Sequence, residues 1–120
     1  DPNSEEFIVP DKLRKLYEIG NYGRYADKSG KLRVNFISNN DITGGNSGSP
    51  VLNAWGELVG TAFDGNWEAM SGDIAFEKEV QRTISVDIRY TLFIIEQFAN
   101  AEHLIKEMTI APTRRLEKKQ

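Results

Sequence analysis

The middle of the sequence alternates short apolar segments with clusters of glycine, asparagine, aspartate and serine. RVNFIS (33–38) alternates apolar and polar side chains, which is typical of a β-strand with one buried face. PVLNAWGELVGTAF (50–63) has apolar residues on both sides of a turn at Asn53–Gly56, and this predicts a β-hairpin. IAF (74–76) and RTISVDI (82–88) predict further short strands. The pattern therefore predicts mainly antiparallel β structure.

Helical periodicity is found on both sides of these strands. DKLRKLYEIG (11–20) has apolar residues at helical spacing and ends on a glycine that suits a left-handed C-terminal cap. Asp87 is a suitable N-cap for a helix that ends at Asn100, and AEHLIKEM (101–108) predicts another helix. The expected chain is one mainly β domain over residues 1–111, with a short N-terminal helix and C-terminal helices, followed by a solvated basic tail at residues 112–120.

Composition excludes several classes of protein. The 120 residues are 39% hydrophobic and 28% charged, unlike disordered or fibrous chains. No stretch approaches the roughly 18 uncharged apolar residues of a membrane span. The net charge is −3, and because the last seven residues are basic, the rest is more acidic still and matches nucleic acid poorly. Zero cysteines exclude disulfides and thiolate zinc sites, and neither a metal nor another cofactor is expected.

GGNSGSP (44–50) is the strongest indication of chemistry. A serine nucleophile needs an exposed hydroxyl on a tight turn and backbone N–H groups directed at the developing oxyanion, and the glycines beside Ser47 allow such a backbone. A phosphate-binding loop would need a lysine that is missing here, and the G-x-S-x-G hydrolase turn requires glycine where Ser49 stands. From the residues alone, an ordinary surface turn remains the alternative.

The residues from Gly45 to Pro50, followed by VLNAWGELVG, resemble the serine turn and next hairpin of chymotrypsin-like peptidases. With DPNSEEFIVP, GTAFDGNWEAMSGDIAF, QRTISVDIRYTLFIIEQF and HLIKEMT, they resemble the C-terminal end of the S46 dipeptidyl-peptidases of Gram-negative bacteria, and most of all the dipeptidyl-peptidase 7 type. These serine exopeptidases release dipeptides from free N-termini. The resemblance covers residues 1–111 and implies an incomplete C-terminal barrel of a chymotrypsin-like double β-barrel, in a periplasmic or cell-surface protein.

The resemblance also implies roles for individual residues. Ser47 would be the acylating nucleophile, and the N–H groups of Gly45 and Ser47 would form the oxyanion hole. Phe63, Asp64 and Gly65 would bind substrate. Asp64 matches a residue that helps hold the substrate's free α-amino group, although from the residues alone a turn-capping aspartate is favoured. Gly65 would leave space in the side-chain pocket and imply an apolar or broad preference, since members that prefer acidic side chains carry arginine there.

Two features set expectations for the surroundings of this site. Asn46 departs from the aspartate common in trypsin-like enzymes, so activation through a buried new N-terminus is not expected. Trp67, Met70 and Phe76 are expected to pack in the core rather than to line a subsite.

The sequence contains one histidine, His103, in the predicted helix 101–108. A serine nucleophile needs a base oriented by a carboxylate, and in chymotrypsin-like enzymes both precede the serine along the chain. We therefore expect a fragment that is inactive alone, whose upstream part supplies histidine and aspartate, within a homodimeric parent acting on peptides with free N-termini. A fragment of a chymotrypsin-like bacterial endopeptidase and a non-catalytic β-rich interaction module remain alternatives.

Overall fold

A four-stranded antiparallel sheet organises the chain. The computed structural model describes residues 3–71 and 77–111. The strands follow the order β1-β4-β3-β2, and their bounds are β1 Asn35–Ser38, β2 Pro50–Leu52, β3 Leu58–Gly65 and β4 Thr83–Asp87. These strands confirm the predicted antiparallel arrangement. The predicted strand at residues 74–76 and the predicted tail at 112–120 lie outside the described residues.

The hairpin between β2 and β3 turns where the sequence predicts it. The Asn53 side-chain oxygen accepts hydrogen bonds from the backbone N–H groups of Trp55 and Glu57, each at 3.0 Å. Gly56 has a φ of 77°, a left-handed conformation that glycine adopts without strain. Asn53 and Gly56 together therefore fix the turn, and with it the register of β3.

Helices lie before β1 and after β4. The first, α1, spans Asp11–Ile19 and ends at Gly20, which has a φ of 66° and donates its N–H to the Leu16 carbonyl, as predicted. The others are α2 Ile88–Phe93, a π-helix at Ile94–Phe98 that continues it, and α3 Glu102–Lys106. No described helix is long and apolar enough to cross a membrane.

The helix after β4 differs from the regular helix predicted up to Asn100. At Ile94–Phe98 it widens, and the Ala99 N–H donates to the Ile94 carbonyl at 2.9 Å. Four consecutive apolar residues, 92–95, cannot all face one side of a regular helix. The wider turn accommodates them, and both Ile94 and Ile95 pack against the core.

The core lies between the helices and the loop before β1. Phe93 is 2% exposed, and the rings of Tyr22 and Tyr25 meet its ring edge-on, with centroids 5.6 and 6.4 Å away. Burial raises the pKa of the Tyr25 hydroxyl. Leu92 and Ile105 complete this cluster. The loop bearing Tyr22 and Tyr25 is thus packed against the core.

Much apolar surface stays uncovered. Within residues 3–71 and 77–111 the buried hydrophobic side chains are few, whereas many large ones are exposed, from Leu104 at 41% to Trp67 at 82%. On β4 the buried side chains are Thr83, Ser85 and Asp87, so this face of the sheet adds little to the core. Exposed apolar surface of this extent is typical of a contact with further protein.

Asp87 joins the sheet to the helices. Its carboxylate is buried, accepts the Arg89 backbone N–H at 2.9 Å as the N-cap of α2, and pairs with the Arg89 guanidinium at 2.6 Å. This hydrogen bond raises the pKa of the Arg89 guanidinium. The Asp87 backbone N–H donates to the Val34 carbonyl at 2.9 Å, which extends the pairing of β4 with the chain before β1.

Replacing Asp87 with alanine removes this helix cap and leaves the Arg89 guanidinium without its partner. We expect Asp87→Ala to lower the free energy of unfolding by about 2 kcal/mol. As a control, Asp11→Ala removes an exposed ion pair with Arg14 and should change little. Urea denaturation followed by circular dichroism measures both variants, and equal effects would contradict a structural role for Asp87.

Candidate active site

The turn that carries Ser47 is closed by Asn46. The Asn46 backbone N–H donates to the Thr43 carbonyl at 3.1 Å, and the Asn46 side-chain oxygen accepts the Thr43 N–H at 2.9 Å. The Asn46 carbonyl accepts the Ser49 N–H at 2.9 Å. Gly45 and Gly48 have φ values of 96° and 91°, where other residues are strained. The side chain of Asn46 is therefore part of the framework that holds the serine.

Ala62 fastens this turn to β3. The Gly48 N–H donates to the Ala62 carbonyl at 2.8 Å, and the Ala62 N–H donates to the Ser49 carbonyl at 2.9 Å. The turn thus continues the pairing of β2 with β3. As a result, Ser47 lies beside the second half of β3, which is the segment predicted to bind substrate.

A bulge in β3 places Phe63 next to the serine. On the side facing β4, Ala62 pairs with Ser85 and Asp64 pairs with Ile84, so Phe63 has no partner in the register. The Ser47 hydroxyl donates to the Phe63 carbonyl, with the two oxygens 3.4 Å apart. Bulges of this kind redirect backbone groups and are frequent beside active sites.

The predicted nucleophile and its predicted oxyanion donors are accessible. Ser47 and Gly45 are both exposed. Within the described part of the chain, neither the Gly45 nor the Ser47 backbone N–H donates a hydrogen bond. Two unpaired N–H groups on one tight turn, beside an exposed hydroxyl, can stabilise an oxyanion that forms on a carbonyl attacked by that hydroxyl.

The predicted site residues share one pocket. A shallow pocket of about 210 Å³ is lined by Ser47, Phe63, Asp64 and Gly65. Asp64 is exposed, and one of its carboxylate oxygens accepts the Gly65 N–H at 2.8 Å, as a turn-capping aspartate does. Among the described residues, the second Asp64 oxygen has no hydrogen-bond partner, so the same side chain is also open to a cation.

The pocket is also lined by Asn66, next to the predicted substrate-binding residues, and by three residues that were not predicted to belong to the site: Ile42, Thr43 and Ala69. Ala69 lies on the 3-10 helix Trp67–Ser71. A Cβ atom at position 65 would lie 2.8 Å from the Ala69 Cβ and 3.3 Å from Ile42 Cγ2. Part of the space beside Gly65 is therefore filled by those two side chains, while Gly65 itself lines the pocket.

Asn66 anchors the segment that follows β3. Its backbone N–H donates to the Arg82 carbonyl at 3.0 Å and its side-chain oxygen accepts the Arg82 N–H at 2.8 Å. Its side-chain amide donates to the Val80 carbonyl at 2.7 Å. These bonds fix the start of the 3-10 helix against the chain that enters β4.

The side chains of Trp67 and His103 do not line this pocket. Trp67 is 82% exposed, so its predicted place in the core is wrong, while the side chains of Met70 and Phe76 fall outside what the structure describes. His103 is exposed on α3, and no described hydrogen bond or ion pair joins it to Ser47. In residues 3–71 and 77–111 no cluster of carboxylate and histidine side chains could hold a metal ion.

Comparison with known proteins matches this chain to dipeptidyl-peptidases. It is 59% identical over 110 residues to Dipeptidyl-peptidase 7 of Phocaeicola vulgatus, covering 92% of the chain. It is 55% identical over 108 residues to the Asp/Glu-specific dipeptidyl-peptidase of Porphyromonas endodontalis, covering 90%. The chain spans only 15% of the length of each of these relatives.

The solved structures agree with the sequence comparison. The crystal structure of Porphyromonas endodontalis DPP11 in complex with the dipeptide Arg-Asp superposes with a TM-score of 0.85 at 54% identity, over 89% of this chain and 15% of that one. The sequence model of the family described as Peptidase S46 matches residues 1–110. The resemblance based on the serine turn and its flanking segments is confirmed, and the chain belongs to the Peptidase S46 family.

Proposed function

We propose that this chain is the nucleophile-bearing part of a serine dipeptidyl-peptidase that releases dipeptides from peptides with a free N-terminus. The observation that carries the proposal is the arrangement of Ser47 on its glycine turn, in one pocket with Asp64 and beside two unpaired backbone N–H groups. The names of the relatives, Dipeptidyl-peptidase 7 and Asp/Glu-specific dipeptidyl-peptidase, support the reaction class.

In this proposal the Ser47 oxygen attacks the carbonyl carbon of the scissile peptide bond as a base removes the hydroxyl proton. The Gly45 and Ser47 N–H groups hold the resulting oxyanion. The intermediate collapses to an acyl-enzyme as the protonated amine leaves, and water then releases the dipeptide and restores the serine hydroxyl. The histidine base and its aspartate come from the upstream part of the same enzyme.

Asp64 and Gly65 distinguish this site from that of a general serine peptidase. The exposed Asp64 carboxylate supplies a negative charge for the α-ammonium group of the substrate. None of the described residues that line the pocket is lysine or arginine. Without a cation to pair with an acidic side chain, the pocket favours apolar side chains at the second residue of the substrate, with the half-exposed Phe63 as one wall.

The same proposal extends to the architecture and the setting of the parent enzyme. Strands β1 to β4 form a portion of the C-terminal barrel of a chymotrypsin-like double β-barrel. The exposed apolar surface described above supports contact with further protein, which includes the upstream barrel. The parent is a homodimer located in the periplasm or at the cell surface.

Removal of the Ser47 hydroxyl tests the nucleophile. We expect Ser47→Ala in the full-length enzyme to lower kcat/KM on dipeptidyl substrates by at least about 1000-fold and to abolish labelling by a serine-directed phosphonate. Ser49→Ala is the matched control, because Ser49 holds the turn through its backbone. Normal hydrolysis and labelling by Ser47→Ala would overturn the assignment.

The charge of Asp64 is tested with substrates that differ only at the N-terminus. We expect Asp64→Asn to lower kcat/KM on a free-N-terminal substrate by about 10- to 100-fold, since a charge-assisted hydrogen bond is lost. Asp41→Asn, on the exposed loop that carries Ser47 but outside the pocket, should have no effect. If the wild-type enzyme cleaves an acetylated substrate equally well, it is an endopeptidase.

The source of the catalytic base is tested with the only histidine of the chain. We expect His103→Ala in the full-length enzyme to leave kcat/KM unchanged, and the purified 120-residue chain to show no turnover of a free-N-terminal dipeptidyl substrate. Turnover by the isolated chain that His103→Ala abolishes would instead identify His103 as the base.

A further inference from the structure

The methyl group of Ala69 is part of the lining of the pocket beside Ser47. A Cβ atom at Gly65 would lie 2.8 Å from the Ala69 Cβ, closer than carbon atoms approach without displacement. Ile42 Cγ2, at 3.3 Å, lies beside it. Gly65, Ala69 and Ile42 all line the pocket that contains Ser47 and Asp64. The Ala69 methyl therefore occupies the space that the absent side chain of Gly65 would otherwise leave to a substrate.

Hydrogen bonds fix the position of Ala69. Its backbone N–H donates to the Asn66 carbonyl at 2.9 Å, and Asn66 is in turn tied to Arg82 and Val80 by three hydrogen bonds of 2.7 to 3.0 Å. A shift of Ala69 away from the pocket would have to strain or break these bonds. The position of the methyl is thus set by the framework around β4 and not by the substrate.

We propose that Ala69 is a specificity-determining residue that sets the size of the side chain accepted at the second residue of the substrate. This inference rests on the proposed dipeptidyl-peptidase function. The substrate class is a peptide with a free N-terminus and an apolar second residue that reaches the Ala69 methyl. One methylene group in an apolar pocket changes kcat/KM by about 10- to 200-fold, so a change of one or two carbons at position 69 is measurable.

The test varies the size of the side chain at position 69 together with the size of the second residue of the substrate. In the full-length enzyme, we expect Ala69→Gly to raise the kcat/KM ratio of a phenylalanine to an alanine substrate by about 5-fold or more. Ala69→Val should lower the ratio of a leucine to an alanine substrate by about 10-fold or more. Glu68→Gln, on the same helical turn but outside the pocket, serves as control and should leave both ratios unchanged.

A stability measurement tests the same contact without any substrate. We expect Gly65→Ala to lower the melting temperature by several degrees, and the double variant with Ala69→Gly to recover most of that loss. Gly44→Ala is the matched control for this cycle. Gly44 lines the same pocket, has no atom within 4 Å of an added Cβ, and should show no coupling to Ala69→Gly.

The outcomes separate this inference from the proposed function. If activity depends on Ser47 but both ratios stay constant, and Gly65→Ala and Ala69→Gly act additively on the melting temperature, Ala69 does not set specificity. If the enzyme shows no Ser47-dependent hydrolysis while the two stability effects remain coupled, the contact between positions 65 and 69 stands and the proposed function fails. Altered kcat/KM ratios, together with coupled effects on the melting temperature, support both the role of Ala69 and the proposed function.

Discussion

The site depends on the backbone of Ala62. This buried residue uses its N–H and its carbonyl to hold the C-terminal end of the serine turn, at Ser49 and Gly48. Its neighbour Phe63 then bulges out of the pairing with β4, and the Phe63 carbonyl faces the Ser47 hydroxyl. Without the two bonds to Ala62, the serine turn would not be attached to this part of β3. The distances from Ser47 to Asp64 and Gly65 would then vary.

The region around the serine is made rigid by hydrogen bonds more than by packing. The hydrophobic cluster around Phe93 lies between the helices and the loop before β1, and the buried side chains of β4 are polar. Backbone pairing and the side chains of Asn46 and Asn66 therefore carry the geometry of the pocket.

Local chemistry explains what the sequence could predict. Helix caps and turns depend on hydrogen bonds between residues that are close in the chain, so they can be predicted from residue type, as at Gly20, Asn53 and Asp87. The serine turn was recognisable only together with its flanking segments, because glycines around a serine also occur in ordinary surface turns. The contact between Gly65 and Ala69 was not predictable, since it depends on the bulge at Phe63 and on the anchoring of Asn66 by a strand sixteen residues later. Trp67 was misplaced because composition cannot tell an exposed aromatic residue from a buried one.

In the proposed mechanism, the serine turn supplies the oxyanion donors, which need a fixed geometry, and a base from the upstream part of the enzyme carries out the proton transfer. The bond from the Ser47 hydroxyl to the Phe63 carbonyl is long at 3.4 Å, so releasing the hydroxyl toward a base costs little. The N–H groups of Gly45 and Ser47, in contrast, are held by a turn closed through Asn46 and need no rearrangement. In serine peptidases that lack a triad member, such groups and substrate binding still accelerate hydrolysis by about 1000- to 10,000-fold over water. In the proposed mechanism, residues 43–65 supply this preorganised contribution, which is separate from the contribution of the base.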